Sequence, residues 1–469
     1  MKFLFFYPAS GKWALAIDRS ISTGANLPPL GILYLAKILE NNGHDVDVID
    51  LNAETLTENQ IKNKILSSDA VGITVYTEDT ALKNSIKISK FIKNCDPNIP
   101  ILIGGPHCTK YPEKALLDLN ADICVRGEGE FIIKQLAEVI QGKKNLSSIP
   151  GICYKEKNEI KKNISAEQIK ILDDLPFPSR HLVEKYEYGY MFGVKIAKGR
   201  LTSFLSSRGC PFRCRFCSMC YLLPKYTRRS INNITKEIDE VIDAGYKTIS
   251  FVDDNFLQKK EEAEKIMDFI IKKGEDIHIW IEEARVDSVD KKLYLKMREA
   301  GVEIINFGIE SGNQDVLDFY NKRITLDQIR KAVKLCKEMG FFINASFILG
   351  APIETKKHIE NTIKFAKSLP IDSIAFYNLK YAYGSPLWNE AVKKGKIKPD
   401  EYSVKADSTR GLGYLTEDEL TNYNIKAYKS YYFNPRLWGR ELFYAFSKKD
   451  FRYLKLGLKI IFLPHVAPS

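Results

Sequence analysis

No apolar run in the 469-residue chain is long enough to cross a membrane; segments such as 2–8 (KFLFFYP) and 460–463 (IIFL) fall far short of the ~20 residues a spanning helix needs. A secretory signal is missing too, since one Lys precedes a short apolar stretch and no small-residue cleavage site follows. The expected location is therefore the cytoplasm. The composition lacks the bias of disordered chains: 45% of residues are hydrophobic and 28% charged, enough for two or three domains with real cores. Nine cysteines without a secretory signal do not read as a disulfide framework, and four of them fall between positions 210 and 220, a clustering that points to metal. The net charge of +11 is not a nucleic-acid signal either. From Ile425 to Ser469 nine Lys or Arg stand against two acids, so most of the excess lies in the tail, and no recognised RNA module accompanies it.

What is present is alternation. Residues 1–145 predict strands at 2–7 (KFLFFY), 45–50 (DVDVID), 70–76 (AVGITVY), 100–105 (PILIGG) and 121–127 (ADICVRG). Helices are predicted at 30–42, 58–67, 80–94, 113–119 and 130–141. Short runs rich in Val and Ile suit strands buried on both faces, so the first domain is expected to be a doubly wound, flavodoxin-like parallel sheet. Ligands in such sheets bind at the carboxyl ends of the strands. Here those ends are 7–10, 76–80, 104–109 and 126–130.

Residues 146–195, a small hairpin (PGICYKEKNEIKKN) and a Pro-broken stretch, read as a linker. From 196 to 415 a second alternation of six strands and helices reads as a partial TIM-like (β/α)6 barrel, whose function should sit in the loops after the strands. Residues 416–469 read as a helical, basic and aromatic tail.

The loop after the first barrel strand reads SSRGCPFRCRFCSMC, which spaces Cys210, Cys214 and Cys217 as C-x-x-x-C-x-x-C. Three thiolates on one loop can hold three irons of a cubane and leave the fourth iron open to an outside ligand. Arg208, Arg213 and Arg215 surround the loop and favour thiolate. Cys220 is a fourth thiol that could close a zinc site, but structural zinc sites usually pair two separated knuckles, so it is set aside as a bystander.

These residues resemble the radical S-adenosylmethionine enzymes, and within them the subgroup with an N-terminal cobalamin-binding domain. The resemblance implies that the open iron of a 4Fe-4S cluster chelates S-adenosylmethionine, and that an external flavodoxin- or ferredoxin-type donor drives its cleavage to methionine and a deoxyadenosyl radical. It implies that Phe216 packs by the adenine. Asp253, Asp254 and Asn255 (FVDDNF, 251–256) become polar contacts to the methionine moiety or the substrate, Arg285 (EEARVD, 282–287) is poised for a carboxylate, and Glu310 and Ser311 (GIESGNQDVL, 308–317) lie near the ribose and carboxylate. Gly350 and Pro352 (FILGAPIET, 347–355) let backbone approach the adenine. The competing reading of the carboxylates is that they cap the helices that follow.

The first domain resembles the family's cobalamin module in 28–50, GGPHCT (104–109) and RGEGE (126–130), with Gly104 and Gly105 allowing close approach of a corrin. The D-x-H-x-x-G pattern that supplies a cobalt ligand in many cobalamin proteins is absent, and His107 is the nearby alternative. The function this implies is methylation of an unactivated carbon on a small-molecule or lipid substrate. Cyclisation or rearrangement by the same radical, or electron transfer without catalysis, are the alternatives. The tail could lie in a membrane interface or pack against the barrel.

Overall fold

The computed structural model describes residues 1–9, 26–77, 79–157 and 159–462. Two units emerge, Met1–Gly193 and Val194–Ser469. Ser10 and Glu78, at two strand ends expected to meet ligand, and Leu463, at the end of the aromatic tail, lie outside the described residues.

In the first unit Phe3, Leu4, Phe5 and Phe6 are all buried, as a strand covered on both faces requires. This strand, β1 (Lys2–Tyr7), is flanked by β2 (Asp45–Asp50) and β3 (Ala70–Thr74), and the sheet continues through β4 (Ile101–Gly104) and β5 (Ile123–Val125). All these neighbours are parallel, in the order β2-β1-β3-β4-β5. That order reverses beside β1, the place where doubly wound sheets open a crevice at their carboxyl edge. The connecting helices are α1 (Leu30–Glu40), α2 (Glu58–Leu66), α3 (Asp79–Cys95), α4 (Pro106–Lys110), α5 (Pro112–Asp118) and α6 (Glu130–Ile140). α2 starts on a capping box in which Thr57 and Gln60 satisfy each other's backbone N–H. The short α4 has too few residues to carry a periodic signal and was not expected.

The 146–195 linker is corrected by the structure. Its hairpin, β6 (Ile152–Glu156) and β7 (Glu159–Lys162), continues the same sheet, with β6 antiparallel to β5 and Cys153 opposite Cys124. An isolated two-stranded ribbon is marginal in water, and the free edge of β5 supplies its partner. Farther on, Tyr186 Oη donates to Val48 O (2.9 Å) and Tyr188 Oη to the buried Asp50 carboxylate (2.8 Å). Residues 146–193 thus belong to the first unit.

In the second unit β8 (Arg200–Phe204), β9 (Tyr246–Phe251), β10 (His278–Ala284), β11 (Val302–Glu310), β12 (Phe342–Leu349) and β13 (Ser373–Asn378) form a parallel sheet in sequence order. Helices α7 (Ile231–Asp243), α8 (Lys260–Lys273), α9 (Lys291–Glu299), α10 (Gln314–Phe319), α11 (Leu326–Glu338) and α12 (Lys356–Ser368) connect the strands, and α13 (Pro386–Lys393) follows the last of them. The tail forms α14 (Glu417–Tyr432), α15 (Pro435–Lys448) and α16 (Arg452–Phe462). It packs against the sheet. Ile374 N and Phe376 N on β13 donate to Tyr432 Oη and Tyr428 Oη (both 3.1 Å), and Asn424 Nδ2 donates to Phe376 O (2.7 Å). The side chains of α14 therefore satisfy the backbone of an edge strand that would otherwise be unpaired.

One buried ion pair fixes the chain just after β8. Arg229 and Glu237 are almost wholly buried against each other, Arg229 Nη1 also donates to Leu205 O (2.8 Å), and Arg229 N donates to Ser206 O (3.0 Å). Removing one partner leaves an uncompensated buried charge. Glu237→Ala should lower unfolding free energy by about 3–5 kcal/mol, and the pair Arg229→Met with Glu237→Ala should cost less than the sum of the two single changes, measured by urea denaturation.

Candidate functional site

The cysteine loop is tied down at its start by the end of β9. Asp253 is fully buried; it accepts from Ser206 N (3.1 Å), Ser206 Oγ (2.6 Å) and Ser207 Oγ (2.5 Å). Asp254 accepts from Gly209 N (2.8 Å). Burial raises both carboxyls, that of Asp254 to about 6, against the pull of these hydrogen bonds. The two acids neither cap the next helix nor point free toward a ligand; they anchor the preceding loop. Gly209 has φ +79°, and a Cβ there would meet Lys225 O at 2.7 Å, so only glycine makes this turn.

Cys210, Cys214 and Cys217 are free thiols. Burial raises all three, Cys217 to about 12, while Lys322 and Arg285 pull Cys214 the other way. Cys217 feels Cys214, Cys210 and Cys220, so the thiols of this loop lie near one another. Among the described residues no three His, Cys, Asp or Glu converge on one metal ion. Cys220 Sγ donates to Cys217 O (3.6 Å).

The remaining strand-end residues are distributed unevenly. Phe216 meets Tyr320 edge-on, with ring centroids 5.0 Å apart. Arg285, expected to await a carboxylate, already donates to Asp287 (3.0 and 2.8 Å) and to Lys322 O (2.7 Å), and lies 3.6 Å over the Phe212 ring, so it braces the loop. Glu310 is held at φ +68°, beside a register shift between β11 and β12, and its Oε1 pairs with Lys322 Nζ at 2.7 Å. A left-handed glutamate is a strained arrangement of the kind that collects at ligand sites. Ser311 turns away toward α12, where its Oγ lies 3.2 Å from Thr362 Oγ1, because the chain leaves the sheet there. Gly350 (φ +100°) makes room for Leu420 of α14, at 2.8 Å from a built Cβ, and its N–H is held by Glu354 (2.7 Å).

Two residues to which no role was assigned, Glu283 inside the EEARVD segment and Tyr377 outside the motifs, face the lumen of the curved sheet. Glu283 on β10 is exposed toward the lumen, and partial desolvation followed by repulsion from Glu310 raises its carboxyl to about 8. Tyr377 on β13 is 42% exposed, and its phenol is raised by burial and then by Glu283 and Glu310. The mutual influence of residues three strands apart shows how far the sheet curls. Beneath them Glu282 accepts from Ser250 Oγ (2.6 Å) and Asn306 Nδ2 (3.0 Å).

In the first unit Gly105 has φ +106° and a Cβ there would meet Val75 O at 3.0 Å, whereas a Cβ on Gly104 would touch only Val125, at 3.8 Å. The backbone at Gly104 is thus uncrowded on the side a side chain would take. His107 is 2% exposed, lies against Tyr111 with ring centroids 5.1 Å apart, and has neither ring nitrogen hydrogen-bonded; burial lowers its pKa to about 4.

Residues 204–366 match the Radical SAM superfamily and residues 19–137 the B12 binding domain. The chain is 34% identical over 453 residues to the uncharacterized methyltransferase PH0819 of Pyrococcus horikoshii, spanning 94% of this chain and 95% of that protein. The chain belongs to the cobalamin-binding radical SAM enzymes. It is also 29% identical over 383 residues to the anaerobic magnesium-protoporphyrin IX monomethyl ester cyclase of Rubrivivax gelatinosus, covering 78% of this chain and 66% of the cyclase. The fold of the cobalamin-dependent radical enzyme OxsB, solved with aqua-cobalamin, superposes with a TM-score of 0.70 at 19% identity, covering 97% of this chain and 72% of that one.

A radical SAM enzyme uses a 4Fe-4S cluster, S-adenosylmethionine and an external electron donor, and acts on a small-molecule substrate; this one adds a B12-binding domain. The residues present fit both groups. Three clustered thiols beside Lys322 and Arg285 suit the cluster, and the uncrowded backbone at Gly104 suits a corrin. Cys210→Ala, Cys214→Ala and Cys217→Ala should each lose the iron and sulfide of the reconstituted protein, with Cys220→Ala retaining both. Iron and acid-labile sulfide assays check this.

Proposed function

We propose that this chain methylates an unactivated carbon of a hydrophobic or lipid-like small molecule, working in the cytoplasm with peripheral membrane contact through its C-terminal helices. The observation that carries the reading is the union, in one chain, of the three-thiol loop with a B12 binding domain, along near full-length similarity to a methyltransferase. When bound, the cluster supplies the electron that cleaves S-adenosylmethionine and cobalamin supplies the methyl group. The protein's own part is placement. Asp253 and Asp254 hold the loop carrying the thiols, Phe216 takes the adenine side, and the Glu310–Lys322 pair polarises the site beneath. Glu283 and Tyr377, open to the lumen, orient the acceptor.

The reading is tested by anaerobic incubation of the reconstituted protein with S-adenosylmethionine, hydroxocobalamin, a strong reductant and candidate acceptors. Deoxyadenosine, S-adenosylhomocysteine and a product heavier by one methyl are expected together. Similarity to a cyclase favours one second reading, radical cyclisation, in which deoxyadenosine forms but the product gains no methyl.

Glu283 gives a pH dependence. A carboxyl raised to about 8 is neutral below that pH and donates a hydrogen bond to the acceptor; above it the group ionises and the donor is lost. kcat/KM for the acceptor should therefore fall as pH rises through about 8. Glu283→Gln, which keeps a neutral donor, should flatten the profile across that range.

A further inference from the structure

The C-terminal helices expose large apolar side chains that the packing of the second unit does not use. α15 turns Leu437, Glu441 and Ala445 inward, while Arg436, Gly439, Leu442, Phe443 and Phe446 line its outer side. Phe443 is 74% and Phe446 68% exposed. Phe446 meets the partly exposed Phe451 edge-on at 5.4 Å, in the turn between α15 and α16. α16 buries Leu456 and Ile460 and leaves Lys455, Leu458 and Lys459 outside.

The two helices are firmly held from within. Trp438 Nε1 donates to Tyr432 O (2.6 Å), Arg440 bonds Ile371 O, and Tyr453 stacks on Phe342 at 4.1 Å. The outward phenylalanines are therefore presented on a fixed support, where a soluble monomer rarely leaves a contiguous apolar patch without a use.

Charge identifies the occupant. Among the described exposed residues from 433 to 460 the ionisable ones are Arg436, Lys449, Lys455 and Lys459, with no acid. Glu441 is buried, and Asp450 is paired with Arg452 at 2.7 Å. Aromatic side chains ringed by cations match an anionic lipid surface, apolar groups entering the acyl boundary and lysines meeting head groups. Two copies of the same face would oppose like charges.

We propose that the outer face of α15 and α16 docks the enzyme on an anionic phospholipid bilayer through Phe443, Phe446 and Phe451, with Arg436, Lys449, Lys455 and Lys459 at the head groups. This deepens the membrane contact proposed above and is read without turnover, so it stands or falls apart from the methylation.

The test is flotation of the full chain with phosphatidylcholine vesicles with and without phosphatidylglycerol. Binding to the anionic vesicles, weakened by salt, is expected, with a loss of about tenfold or more in Phe443→Ser/Phe446→Ser and in Lys455→Gln/Lys459→Gln. All four positions are exposed, so unchanged thermal melts should accompany the loss. No flotation of the wild type, or equal flotation of the phenylalanine variant, overturns the proposal. So does a dimer on gel filtration that the phenylalanine variant abolishes without any vesicle binding, which would assign the face to a second copy.

Discussion

The second unit depends on a carboxylate that has given up water. Asp253 sits in a fully buried position, where an ionised group is costly unless several donors surround it. Two serine hydroxyls and a backbone N–H supply that compensation, and all three come from the residues that open the cysteine loop. The cost of burying the acid is thus tied to one conformation of the loop. Asp254 adds a second tie to Gly209, immediately before Cys210, so the first thiol starts from a fixed point.

The same economy of charge runs through the lumen. Lys322 serves Glu310 directly, opposes the burial that raises the neighbouring Cys214 and lends its carbonyl to Arg285. Arg285 in turn leans on Phe212 inside the loop. Glu283 sits at the edge of this arrangement, where desolvation and then the nearby Glu310 raise its carboxyl.

Much of this was legible from the chain. Short apolar runs alternating with helical segments located both sheets, and the cysteine spacing located the loop, because both signals are local. The segment 146–193 was misread because its binding to the first sheet depends on Tyr186 and Tyr188 reaching β2 over more than a hundred residues, which no local pattern records. Arg285, Ser311 and Gly350 fall in the motifs expected to meet the cofactor, yet spacing could not reveal that a neighbour already engages each side chain or fills the space beside it. Lys322 and Tyr377 carried no signal at all; only the curl of the sheet brings them to the lumen. Glu283 was within a quoted motif, but its chemistry arises from what surrounds it.

The tyrosines of α14 also decide the shape of the barrel. By occupying the backbone groups along the outer edge of β13, they take the place where a seventh parallel strand would have to pair. The six-stranded sheet is thereby bounded on that side by a helix, and the barrel ends at β13 without a further strand.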